Sequence, residues 1–154
     1  EQIAKTLISD SDEESFPLLN PEEYQILSIP KGSLTPEELE EIQSHVTHTY
    51  NFLTKIPWTG ELHNIPEIAY GHHEKPDGSG YPRGIPAPLI HPQSRMMAIA
   101  DVYDALTATD RPYKPAITAE AALDILDNEA RTGKIDPDLF KVFAEAKVYK
   151  LTSK

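Results

Sequence analysis

Residues 96–106 read MMAIADVYDAL, and apolar side chains lie almost all round the helix that this stretch predicts. The run has no alternating polar positions, so it favours a helix buried in the protein over a strand. We therefore predict a buried helix over 95–108. Asp101 lies in its middle, and a buried carboxylate needs a cation or hydrogen bonds to offset its desolvation. Asp104, one turn further on, either caps the following loop or orients a ligand.

Helix signals also occur on both sides of this stretch. Thr35 and Glu38 form a capping-box pattern, and apolar residues recur behind it at spacings of three and four up to Pro57, which predicts one helix over 35–56. Caps and proline positions predict further helices over 21–28, 64–73, 118–130 and 136–148. No stretch shows the alternation typical of a strand. The sequence therefore predicts an all-α fold.

The composition restricts both the compartment and the partners. Of 154 residues, 14 are Lys or Arg and 25 are Asp or Glu, which gives a formal net charge of −11. A surface this acidic repels polyanions, so we expect no binding to DNA or RNA. No apolar run approaches the roughly 20 residues of a membrane helix, and no signal peptide opens the chain. Cysteine is absent, so we expect a cytoplasmic protein with neither disulfides nor thiolate metal sites.

Three histidines on two of the predicted helices suggest a metal centre. His45 lies beside the apolar stripe of the long helix, and His72 and His73 close the short one. Successive side chains on a helix diverge by about 100°, so this pair should not chelate one ion together. It could serve two ions, or one histidine could bind metal and the other substrate. With Asp101, the imidazoles suit Mn, Fe or Zn, although each histidine taken singly is more often an ordinary surface or boundary residue.

A glycine- and proline-rich connection follows the histidine pair. It contains DGSGYP at residues 77–82, whose glycines provide either positive φ angles or a close approach of the backbone to a ligand. Tyr81, held between Gly80 and Pro82, is suited to stack on a base or to donate to a phosphate. An ordinary turn is the alternative interpretation.

Two cations follow the predicted 95–108 helix in a chain otherwise short of positive charge. The guanidinium of Arg111 could form paired hydrogen bonds with phosphate oxygens, and Lys114 could supply a second charge. Salt bridges to local acidic residues are the alternative.

These motifs occur in one order and at consistent spacing. Along the chain they are HHE at 72–74, DGSGYP at 77–82, Arg95, IADVYDALT at 99–107 and RPYK at 111–114. In this combination the chain resembles the HD-GYP family of metal-dependent phosphodiesterases. The resemblance implies an all-α helical bundle of the HD superfamily and two or three divalent metal ions, iron or manganese before others. It also implies hydrolysis of the bacterial messenger cyclic di-GMP to pGpG or GMP.

The resemblance assigns roles to individual residues by their position in the motifs. The implied metal ligands are His45, His72, His73 and Asp101. The implied substrate-binding residues are Gly80, Tyr81, Pro82, Arg111 and Lys114.

The chain departs from the family pattern in its first part. The family is also named for a His-Asp dyad upstream of the helix that carries His45, and here no histidine is followed by aspartate or precedes His45. The chain also begins at Glu1 rather than at methionine. We therefore predict that residues 35–154 are the C-terminal portion of an HD-GYP-like domain, a partial domain preceded by an acidic segment or insertion at 1–34. We assign no catalytic residue within the chain, and we expect the isolated chain to be inactive.

Three functional interpretations follow. The first is a cyclic di-GMP phosphodiesterase of which this chain carries the second half of the active site, preceded by a sensor or regulatory domain. The second is a truncated or degenerate module that binds nucleotide or a protein partner without catalysis. The third, hydrolysis of another phosphate ester, is disfavoured by the complete Gly-Tyr-Pro triplet. Loss of half a helical domain would expose surface, so the chain could also form a homodimer.

Overall fold

The computed structural model describes residues 7–9, 15–29, 34–109 and 115–151 and confirms an all-α fold. The chain divides into two compact units, Glu1–Gln43 and Ser44–Lys154. None of the described helices is both long enough and apolar enough to cross a membrane.

The described residues of the first unit form two short strands and two helices. β1 (Leu7–Ser9) and β2 (Ser15–Pro17) pair antiparallel, with Ile8 opposite Phe16. The sequence did not predict these strands, because three residues are too few to show alternation. The predicted first helix is confirmed as α1 (Pro21–Leu27).

The capping box at Thr35 is confirmed at the start of α2 (Pro36–Gln43). The amide of Glu38 donates to Thr35 Oγ1 at 3.2 Å, and the amide of Thr35 donates to a Glu38 carboxylate oxygen at 2.8 Å. These two bonds satisfy donors that the first helical turn leaves without a partner.

Within residues 44–109 and 115–151, the second unit has five helices and three short 3₁₀ turns. The helices are α3 (His45–Leu53), α4 (Ile65–Tyr70), α5 (Pro92–Thr107), α6 (Ala119–Arg131) and α7 (Pro137–Glu145), and the 3₁₀ turns are Gly60–Leu62, Ala87–Leu89 and Val148–Leu151. Helix α3 packs on α4, α4 on α5, and α6 and α7 on α5 and on each other. The core lies among the last three helices and comprises Ile99, Tyr103, Ala122, Leu126, Ala130, Ile135 and Phe140.

The predicted single helix over 35–56 is wrong: it is two helices, and the second ends at Leu53. Ser44 separates them while keeping helical dihedral angles (φ −63°, ψ −17°), and serine is weak in a helix interior because its hydroxyl competes for backbone groups. At the other end, the indole of Trp58 donates to the carbonyl of Leu53 at 2.8 Å. That bond helps to satisfy the helix end well before Pro57.

The prediction of a buried helix around Asp101 is also wrong in part. Helix α5 buries Ser94, Ile99 and Tyr103, whereas Asp101 is exposed. The reason is that α4, α6 and α7 cover only part of the circumference of α5. The carboxylate of Asp101 therefore remains in contact with solvent and needs no buried cation.

The two C-terminal helices begin where their caps predict. Thr118 accepts a hydrogen bond from the amide of Ala121 at 3.3 Å, and Asp136 accepts from the amides of Asp138 and Leu139, both at 3.0 Å. The last helix ends at Glu145, earlier than the predicted 148, because a separate 3₁₀ turn follows it.

Truncation of Leu126 tests the position of the core. This side chain is 0% exposed, so Leu126→Ala should lower the free energy of unfolding by about 2–5 kcal/mol through lost burial and a residual cavity. Urea denaturation measures the change. The neighbouring Ile125 is 41% exposed, so Ile125→Ala should cost far less, and equal losses would contradict the described core.

Candidate metal centre

Three imidazoles converge where α3 packs against the end of α4. His45 is the first residue of α3, and His72 and His73 follow α4. Each offers one ligand atom, and these atoms all lie within 4.8 Å of one another. Nitrogen ligands about 2.1 Å from one ion are at most about 4.2 Å apart, so small side-chain rotations would bring all three to a single ion.

The helix length that underlay the expectation about the adjacent histidines is wrong. That expectation assumed a helix continuing to residue 73, whereas α4 ends at Tyr70 with Gly71 as its C-cap. His72 and His73 therefore lie in a turn, and their ring centroids are 4.0 Å apart. Glycine at a helix end is a common stop signal, so Gly71 could have indicated from the sequence that the helix ends before the histidines.

Gly71 has a second constraint besides its place at the helix end. A Cβ atom there would lie 3.1 Å from the hydroxyl oxygen of Ser94. That hydroxyl is buried on α5 and donates to the carbonyl of Ile68 at 2.9 Å. The close packing of α4 on α5 thus fixes the turn that carries the histidines.

His72 is held in one tautomer by the backbone. Its Nδ1 lies 2.6 Å from the carbonyl oxygen of Ala69. A carbonyl can only accept, so Nδ1 carries a proton and donates it, and Nε2 is the nitrogen that remains for a metal ion. Metal-binding histidines typically have this arrangement, because the second hydrogen bond orients the ring.

The electrostatic environment favours neutral His73. Burial, followed by the neighbouring His72 and His45, lowers the pKa of His73 from 6.5 to about 4, while the Asp101 carboxylate opposes the shift. His73 is therefore neutral at pH 7, the state that a metal requires. Asp101 lies outside the group of three converging ligands, but its charge acts on this site from α5.

Tyr81 forms an aromatic wall beside the histidines. Its ring stacks on that of His73, with centroids 4.8 Å apart and planes 28° from parallel, and burial raises the pKa of its hydroxyl. Its amide donates to the carbonyl of His73 at 3.2 Å. Pro82 follows through a cis peptide bond and is exposed.

Gly80 allows the loop to pass directly over the histidine turn. A Cβ atom at this position would lie 2.3 Å from the amide nitrogen of Lys75 and 2.5 Å from the carbonyl oxygen of His73. Gly78 instead adopts a positive φ of 79°. The loop therefore uses glycine in both of the expected ways: for close approach of the backbone at Gly80 and for a positive φ angle at Gly78.

Lys134, between α6 and α7, anchors the same loop from the other side. Its ammonium donates to the Asp77 carboxylate at 2.6 Å and to the Ser79 hydroxyl at 2.9 Å. The sequence did not predict a role for Lys134, because no local pattern connects positions 57 residues apart.

Glu74 is a second residue that the sequence did not single out. Its carboxylate is buried and accepts hydrogen bonds from the amides of Arg83 and Ile85.

The predicted phosphate-binding residues Arg111 and Lys114 lie outside the described residues.

Comparison with known proteins identifies the family. The model of the HD domain matches residues 18–139, and the chain belongs to the HD domain family. The resemblance predicted from the motifs is thereby confirmed.

The curated proteins to which the chain is similar include phosphodiesterases of cyclic dinucleotides. A 3'3'-cGAMP-specific phosphodiesterase 3 from Vibrio cholerae is 36% identical over 115 residues, which cover 75% of this chain and 24% of that protein. A cyclic di-GMP phosphodiesterase response regulator from Xanthomonas campestris is 40% identical over 99 residues, which cover 62% of this chain and 25% of that protein. A cyclic di-GMP phosphodiesterase from Thermotoga maritima is 39% identical over 114 residues, which cover 73% of this chain and 30% of that protein. The chain spans about a quarter of the length of these relatives.

Substitution of Gly80 tests the close approach of the loop. Gly80→Ala should destabilise the chain by about 1–3 kcal/mol through overpacking against backbone that cannot move aside, and it should weaken Mn(II) binding by displacing the histidine turn. Thermal unfolding and calorimetric titration measure the two effects. Gly60→Ala is the control: Gly60 has a positive φ of 59° but no atom within 4 Å of the new Cβ, so it should cost about 1 kcal/mol and leave metal binding unchanged.

The ion pair between Lys134 and Asp77 predicts a pH dependence. The Lys134 ammonium, followed by hydrogen bonds from Ser79, holds the pKa of Asp77 well below its ordinary value of 3.8. A carboxylate with a lowered pKa stabilises the fold above its ordinary pKa and loses that contribution as the pH falls through and below it. The stability difference between wild type and Asp77→Asn should therefore shrink on acidification, as should that for Lys134→Met. Denaturation from neutral to acidic pH measures it, and a constant difference would contradict the ion pair.

Proposed function

We propose that this chain carries the metal-binding second half of the active site of a phosphodiesterase that hydrolyses cyclic di-GMP to pGpG or GMP. The observation that carries the proposal is the convergence of His45, His72 and His73 beside Tyr81. The names of the relatives support the substrate class, since each is a phosphodiesterase of a cyclic dinucleotide.

The three imidazoles fit a divalent ion, and we propose iron or manganese with two or three ions in the complete domain. His72 directs Nε2 away from its backbone hydrogen bond. His73 is neutral at pH 7, so it need not lose a proton before it binds an ion. Asp101, whose charge acts on His73 and Tyr81, would add a carboxylate to this set. Imidazole and carboxylate together favour iron or manganese over magnesium. When bound, the ions supply electrostatic stabilisation of charge that develops on the phosphodiester.

The residues of the loop serve the substrate in this proposal. The ring of Tyr81 is half-buried against His73 and provides a flat apolar surface for a base. Gly80 brings the backbone close to the histidine turn, and Pro82 follows Tyr81 through a cis peptide bond. We assign the phosphate groups to Arg111 and Lys114, as their place after α5 in the sequence suggests.

The rest of the active site belongs to residues that this sequence lacks. No histidine is followed by aspartate in the 154 residues, so we propose that 35–154 form a partial domain and that residues 1–34 are an insertion. A sensor or regulatory domain would precede them, the protein would act in the cytoplasm, and the chain could pair as a homodimer. The same missing dyad favours a second candidate function, a module that binds nucleotide or a protein partner without hydrolysis.

Metal binding is the first test. The chain should bind Mn(II), and replacing both His72 and His73 with alanine should weaken binding more than about 100-fold. Loss of a residue that only hydrogen-bonds to a metal ligand already lowers metal affinity by about 10–100-fold, and loss of two ligands should cost more. Calorimetric titration measures the affinity. His63→Ala is the matched control, since His63 is exposed and its Nδ1 contacts the carbonyl of Gly60, outside the cluster. Equal affinity in all three proteins would refute the proposed site.

Turnover tests whether the chain by itself contains a complete active site. Cyclic di-GMP is incubated anaerobically with the chain and Mn(II) or Fe(II), and products are separated by chromatography. We expect metal-dependent binding of the nucleotide without hydrolysis. Hydrolysis by the wild type but not by the double histidine variant would show that the chain contains a complete site.

A further inference from the structure

Glu74 is the most deeply buried charged residue among those that the structure describes. It is 2% exposed as a residue, and its side chain is inaccessible to solvent. It directly follows the two histidines of the candidate metal centre. A buried carboxylate costs several kcal/mol unless it is fully hydrogen-bonded, so its partners indicate what it does.

Both carboxylate oxygens of Glu74 bind the backbone of the loop. Oε1 accepts from the amide of Arg83 at 2.7 Å, and Oε2 accepts from the amide of Ile85 at 3.0 Å. The guanidinium of Arg83 lies 3.9 Å away and adds a compensating charge. The carboxylate is not among the converging metal ligands, although its position beside two histidines would suggest a ligand.

The loop is therefore held on both sides of Tyr81. Before it, Gly80 packs against the backbone of 73–75. After it, the amides of Arg83 and Ile85 are tied to Glu74. The ring between these attachments lies on the imidazole of His73.

We propose that Glu74 is a positioning residue that fixes the loop over 81–85 and thereby the stacking of Tyr81 on His73. Through that stacking it sets the orientation in which His73 meets a metal ion. The statement about metal rests on the proposed function, whereas the statement about the loop does not. A carboxylate is required because both contacts are N–H donors, and the amide of glutamine offers only one accepting atom.

The experiment compares Glu74→Gln with Glu67→Gln. Glu67 is the matched control because it also contacts Arg83, at 3.1 Å, but from the exposed surface. Three quantities are measured on the 154-residue chain: hydrogen exchange of the Arg83 and Ile85 amides, the NMR contact between the Tyr81 and His73 rings, and Mn(II) affinity by calorimetry.

In Glu74→Gln we expect at least one of the two amides to exchange more than about tenfold faster, the ring contact to weaken, and Mn(II) affinity to fall about 10–100-fold, as for other residues that orient a metal ligand. Glu67→Gln should leave all three quantities within about twofold of wild type. Unchanged amide exchange and an unchanged ring contact in Glu74→Gln would overturn the proposal. Loss of Mn(II) affinity with the ring contact intact would also overturn it and would indicate a direct ligand.

Absence of Mn(II) binding by the wild type and failure of Glu74→Gln to fold are treated separately. If the wild type binds no Mn(II), the proposed function fails, while amide exchange and the ring contact still decide the role of Glu74. If Glu74→Gln does not fold, Tyr81→Ala replaces it, since removal of the ring leaves the buried carboxylate in place. That variant should lower Mn(II) affinity to a similar extent, and wild-type affinity would overturn the proposal.

Discussion

The structure around the candidate site depends on one backbone contact, the passage of Gly80 over the turn that carries His72 and His73. The atoms that face Gly80 belong to the backbone of residues 73–75, so no side-chain rearrangement could make room for a larger residue. From this contact the loop extends to Glu74 and to Lys134. The same contact brings the ring of Tyr81 onto His73. Without it, the glycine-rich loop and the histidine turn would be separate features of the chain.

Ion pairs also tie together parts of the second unit. The chain has an excess of acidic groups, and several of its cations hold local structure. Arg83 bridges Glu67 and lies 5.0 Å over the ring of Tyr70. Arg95 on α5 pairs with Asp136, the cap of α7. The pair of Arg95 and Asp136 joins elements far apart in sequence and is mostly buried, which makes it more consequential than an exposed pair within one helix.

Local signals predicted where several helices begin, whereas their ends and the longer-range contacts were not predictable. Thr35, Thr118 and Asp136 begin helices because each satisfies amides within three residues of itself. The exposure of Asp101 depends on which faces of α5 its neighbours cover, and that information is not present in the helix itself. Similarly, the three histidines could be chosen from their chemistry and motif, but the partners of Glu74 lie nine and eleven residues away. A pattern of residue types does not specify such pairings.

The location of the three imidazoles also has a thermodynamic consequence. One lies at the start of α3 and two lie beyond α4, a helix of only six residues, which is too short to be stable by itself. An ion shared among them would act as a removable cross-link between two segments of the chain. Because such an ion binds the folded arrangement and not the extended chain, the fraction of folded protein would follow the supply of metal. Folding and metal availability would then be a single equilibrium, and a chelator would act on the protein as a denaturant.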